Sequence, residues 1–81
     1  MKGGDKMDIA QALRIIDKTV NDIVAAYDSK DLFVFKITKK GESFTTVDKS
    51  NGKIGTMWIS DVFDYPEGYF KRIDLSKVRA A

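Results

Sequence analysis

The side chains that most often carry enzyme chemistry are missing from this sequence. Its 81 residues include no histidine and no cysteine. That removes the commonest general base, the commonest metal ligand and the thiolate nucleophile. What remains is carboxylate: ten aspartates and two glutamates. Asp61, Asp64 and Glu67 recur at a spacing of three, a pattern that oxygen-ligand metals or an acid/base pair can use. Spacing alone supports neither role. Asp64 reads more simply as a turn or cap residue before Pro66, and Glu67 as a first-turn acid. The run from Asp48 to Ile54 has the opening of a calcium loop, but its glycine falls one place early and Ile59 stands where a bidentate Glu must close the cage. It reads instead as a hairpin turn, with Asp48 accepting backbone N–H bonds and Gly52 taking a positive φ. No nucleophile–base pair and no phosphate-binding glycine loop is visible. The expectation is a non-enzymatic protein without catalytic residues, metal or cofactor.

Binding chemistry is the alternative to catalysis, and two groups of residues could supply it. Val34, Val47, Ile54 and Trp58 read as an apolar set on one sheet face, with Tyr65 and Tyr69 at its margin. Aromatic anchors of this kind are enriched at protein interfaces. Either the C-terminal segment covers the set through Phe63, Tyr69 and Phe70, making it a second small core, or the set serves a protein partner or a second copy of the chain in a homodimer. The rival group is Lys36, Lys39, Lys40 and Lys53, with Lys49 nearby. With Trp58 and Thr45 on the face of Lys36, it would form a small platform for single-stranded nucleic acid. The balance of 14 Lys+Arg against 12 Asp+Glu, a net +2, is a weak electrostatic footprint for that role, so protein binding leads.

The elements that must position these groups follow from periodicity. Ile9, Leu13, Ile16, Val20, Ile23 and Tyr27 recur at alternating spacings of four and three, one stripe on a helix. The spacing predicts a long helix from Lys6 to Tyr27, with Asp5 as its cap and residues 1–5 disordered before it. Leu32–Thr38, Phe44–Asp48 and Lys53–Ser60 read as strands, joined by turns at Lys39–Glu42 and Lys49–Gly52. A two-residue first loop, Lys40-Gly41, places Phe35 opposite Thr46. With a second loop of two or four residues, Phe33, Phe35, Ile37, Phe44, Met57 and Ile59 face the helix, and Val34, Lys36, Thr45, Val47, Ile54, Thr56 and Trp58 face away; a three-residue second loop would pair Phe44 with Trp58. A one-residue slip would exchange these sets. Pro66–Arg72 reads as a short helix. The expected fold is α+β: a long N-terminal helix packed on a three-stranded antiparallel meander with a short C-terminal helical element. It forms a single domain over residues 6–78.

Two short segments carry a resemblance. The turn Asp48-x-x-Asn51-Gly52-x-Ile54 is similar to the hairpin turns of PepSY-like small domains. Together with Pro66-Glu67-Gly68-Tyr69-Phe70 it also resembles short proteins encoded by phages and prophages of Gram-positive bacteria. The resemblance implies a binding or inhibitory module, acting on a host protein or in particle assembly, and implies no catalytic residue. No apolar run approaches the roughly 20 residues of a membrane span, and no signal-peptide core precedes the domain. The expected location is therefore the cytoplasm.

Overall fold

The computed structural model describes residues 7–37 and 43–80. The expected disordered residues 1–5, the cap at Asp5 and the Lys39–Glu42 turn lie outside these. The apolar stripe does begin as a helix, α1, over Ile9–Ile16. Asp8 caps it: its Oδ1 accepts the Gln11 N–H at 2.9 Å, and the Gln11 side chain accepts the Asp8 N–H at 3.0 Å. This reciprocal pair satisfies two amides that the first turn leaves unpaired.

The long helix is not formed. α1 ends at Asp17, whose φ of 58° is left-handed. There the Lys18 N–H reaches the Leu13 carbonyl and the Asp17 N–H the Arg14 carbonyl, both at 3.3 Å, closing the last turn in a Schellman arrangement. Thr19, Val20, Asn21 and Asp22 follow, all poor helix formers. They make a single 3₁₀ turn over Val20–Asp22. The chain then enters a strand, β1, at Ala25–Asp28. The unbroken apolar run Ile23–Tyr27 suits a strand covered on both faces, and Ile23, Ala25 and Ala26 are all buried.

β1 joins four further strands: β2 at Leu32–Lys36, β3 at Ser43–Asp48, β4 at Ile54–Trp58 and β5 at Lys71–Arg72. The sheet runs β4-β3-β2-β1-β5 and is antiparallel throughout. The expected meander is present as β2, β3 and β4, but within a five-stranded sheet. The β1–β2 turn is locked by Ser29, whose backbone and hydroxyl both bond to Leu32 at 2.9–3.0 Å.

One register differs from the expected one, and it reorders both faces. Phe35 stands opposite Thr45 rather than Thr46. The β3–β4 pairing follows the four-residue loop Lys49–Gly52, with Phe44 opposite Met57 and Val47 opposite Ile54. The slip between β2 and β3 therefore flips β3 and β4 together. The helix-side face carries Phe33, Phe35, Thr45, Val47, Ile54, Thr56 and Trp58. The outer face carries Val34, Lys36, Phe44, Thr46 and Met57. Phe33, Phe35 and Val47 form the core with Ala12, Ile23 and Ala26. Ala12, fully buried, lets α1 approach closely. Gly52, at φ 74°, would place a Cβ only 3.1 Å from the Ile15 side chain. That turn therefore needs glycine for its backbone and for the helix above it. Lys49 ties the turns together: its ammonium bonds the Asp28 carboxylate and the Ser29 carbonyl and lies 4.7 Å from the Phe33 ring centre.

Topology explains the tail. β4 and β5 occupy opposite edges, four strand spacings of about 4.8 Å apart. Residues 59–70 must cross the sheet, and they do so over the outer face. They begin with α2 at Ile59–Val62. The expected Pro66–Arg72 helix is absent. Pro66 instead opens a turn closed by the Tyr69 N–H on its carbonyl at 3.0 Å, with Gly68 at φ 85°, a conformation no helix admits. After β5, α3 at Leu75–Ala80 returns to the helix side, where Ile73 and Leu75 extend the core.

Candidate interaction surface

Strand β4 takes its geometry from its place at the edge. The Asp48 N–H donates to the Lys53 carbonyl at 2.9 Å, which sets the phase of the β3–β4 ladder. Antiparallel strands alternate between pairs that exchange hydrogen bonds and pairs that do not. Lys53, Gly55 and Met57 therefore bond inward to β3, and Ile54, Thr56 and Trp58 point their N–H and C=O groups outward. The Trp58 N–H meets the Asp61 carboxylate at 3.3 Å. Among the described residues nothing pairs with the outward groups of Ile54 or Thr56. The side chains of these edge residues also project on the helix side, beyond the cover of α1: Ile54 is 52% exposed and Trp58 60%. No proline, charge or bulge interrupts Ile54–Trp58, the devices that usually blunt an edge.

The expected binding set is divided by this geometry. Val34 and Val47 are buried, on opposite faces of the sheet, and are core rather than surface. Ile54 and Trp58 remain together and exposed, but on the helix side. Tyr65 and Tyr69 belong to the crossing segment. Their rings stack at 4.8 Å, and each meets Phe70 edge-on at 5.0 Å. The Tyr69 hydroxyl donates to Asp31 at 3.1 Å. Desolvation, then the bond to Asp31 and its charge, raise the Tyr69 pKa above the ordinary phenol value.

The expected lysine platform is not assembled. Lys36 lies half-buried on the outer face and Trp58 exposed on the helix side. Lys53 sits at the start of β4, Lys49 is held in its ion pair, and Lys39 and Lys40 lie outside the described residues. Asp48 is a turn residue: its Oδ1 accepts the Ser50 hydroxyl at 2.6 Å and the Ser50 N–H at 2.8 Å. These two bonds, with the nearby Lys53 charge, hold its carboxyl below the ordinary range. Asp74 repeats the arrangement with Ser76 and shifts the same way for the same reason. Asp61, Asp64 and Glu67 do not converge: among the described residues no group of three carboxylates stands together to hold a metal ion. No described helix is long and apolar enough to cross a membrane.

Sequence reasoning missed two features. The crossing segment leaves an apolar cleft of about 260 Å³ over the outer face, floored by Tyr27, Val34 and Phe44 and walled by Ile59, Val62, Phe63 and Phe70. Phe63 at its rim is 80% exposed. The other is Thr56, midway along the open edge. Its signal was the uncharged run from Ile54 to Trp58, bracketed by Lys53 and Asp61.

Set against models of protein families, curated proteins and solved structures, the chain matches none of them.

Proposed function

We propose that this chain is a non-enzymatic protein-binding module that works through the β4 edge. One observation carries the reading: Ile54 and Trp58 are exposed on a strand whose outward backbone groups at Ile54 and Thr56 have no described partner. Such an edge recruits an added strand, in which main-chain bonds supply affinity and alternate side chains supply specificity. Trp58 is the anchor, since tryptophan is among the residues enriched at interface hot spots. The separation of Lys36 from Trp58 counts against the nucleic-acid reading. The resemblance of the Asp48–Ile54 and Pro66–Phe70 segments to phage-encoded proteins supports a partner in a host cell or an assembling particle.

The test is retention of proteins from an extract of the source cells on immobilised wild type and Trp58→Ala, with both shown folded by circular dichroism. The expected result is a protein, which the chain itself could be, held by the wild type and lost from the variant. Identical retention profiles would remove β4 from the account.

A further inference from the structure

We infer that the strand which completes the β4 edge is β4 of a second copy of this chain, paired antiparallel about a two-fold axis through Thr56. This rests on the reading of β4 as a binding edge and names its occupant. Three observations converge on it.

The first is backbone phase. The outward groups without a described partner are those of residues 54 and 56, the Trp58 N–H being held by Asp61, so an antiparallel copy must align even-numbered residues with even-numbered residues for the bonds to form. A two-fold centred on Thr56 does so and is the register that overlaps all five residues of Ile54–Trp58. Thr56 then exchanges two bonds with Thr56 of the second copy.

The second is side-chain complementarity. Ile54 of one copy falls opposite Trp58 of the other, twice. All four side chains lie on the helix-side face, because a two-fold normal to the sheet keeps that face common to both copies. These are the large apolar groups that a single copy leaves 52% and 60% exposed. Aromatic against β-branched is a favoured cross-strand pair.

The third is charge. β4 itself carries none, so its copy meets no repulsion. Lys53 precedes β4 and Asp61 follows it. Antiparallel pairing brings Lys53 of each copy toward the strand end of the other that carries Asp61. The result is a ten-stranded sheet with α1 of both copies on one side.

The chain has no cysteine, which makes register directly testable. Thr56→Cys places two thiols across the axis. Directly opposed residues have Cα atoms about 5.5 Å apart, within disulfide reach. Ile54→Cys, also exposed on the same face, lies about 13 Å from its own counterpart in this register, four residue rises along the strand, and cannot bridge. Both variants are oxidised mildly, and wild type and Thr56→Pro are sedimented over micromolar to millimolar concentration. Proline at 56 removes an outward N–H and leaves the bonds to β3 in place.

The expected result is a reversible dimer of the wild type, a cross-linked dimer from Thr56→Cys and not Ile54→Cys, and dimer affinity about tenfold or more weaker in Thr56→Pro. If Thr56→Pro fails to fold by circular dichroism, the cysteine pair decides alone. A wild type that stays monomeric throughout, or equal cross-linking at 54 and 56, overturns the inference. A monomer that still retains a different protein through Trp58 overturns the second copy as partner and leaves the binding reading standing.

Discussion

β2 and β4 are five-residue strands, and each turns two large apolar side chains toward the face that carries α1. In β2 these are Phe33 and Phe35, 5% and 0% exposed. In β4 they are Ile54 and Trp58, 52% and 60% exposed. The local pattern is alike; the place in the sheet is not. β2 lies third of five, flanked by β1 and β3, with α1 above. β4 has a neighbour on one side, and the short α1 does not reach across it. The same residue types therefore serve as core in one strand and stand exposed in the other.

The largest effect belongs to the central strand. Phe35→Ala removes a fully buried ring and should cost about 3–5 kcal/mol. A chain of this length has roughly 4–12 kcal/mol of stability in all, so the variant should stand near unfolding in a denaturant titration. Gly52→Ala comes next, at about 1–3 kcal/mol, because alanine at a φ of 74° is strained and its methyl meets Ile15. Thermal melts would show it, and a neutral outcome would mean that residue 52 neither holds a left-handed backbone nor lies under α1. Trp58→Ala should cost the monomer under about 2 kcal/mol, since little more than a third of the side chain is covered. A loss equal to that of Phe35→Ala would erase the contrast between the strands and return Trp58 to the core.

The smallest effect concerns the turns. Asp48 and Asp74 both have depressed carboxyl pKa values, held down chiefly by the hydroxyls of Ser50 and Ser76. A depressed folded value means a stabilisation fully present above the unfolded value of 3.8, lost as pH falls through the lower folded value. An Asp48→Asn, Asp74→Asn double variant keeps an acceptor oxygen but does not titrate. Its melting temperature should lie slightly below wild type at neutral pH, and the gap should close in acid. A gap constant across that range would mean that the carboxylates make no such bonds in solution.

Much of the sheet was legible in the sequence. β-branched and aromatic runs marked β2, β3 and β4, and the Asn51-Gly52 pair marked the β3–β4 turn, though not whether Phe44 pairs with Met57, as it does, or with a neighbour. Two things were not legible. Ile9 through Tyr27 fits a single helical stripe, yet the same residues contain the contiguous run Ile23–Tyr27, and short apolar runs do not distinguish a helix from a doubly covered strand. Burial of Ala25 and Ala26 between β2 and β5 is a tertiary fact, invisible to local spacing. The register between β2 and β3 was the other. A one-residue difference there moves Val47 and Trp58 from one face to the other. Ile54 and Trp58 could thus be grouped on one face, while neither their exposure nor the face that presents them could be read.

Amide hydrogen exchange, resolved by residue, tests the edge most directly. In dilute protein the Gly55 and Met57 amides, bonded to β3, should exchange slowly, and the Thr56 amide between them should exchange fast. Raising the protein concentration should slow Thr56 while leaving Phe35 in β2 unchanged. A Thr56 amide already as slow as its neighbours in dilute solution would mean the edge is closed within one chain and would contradict the account.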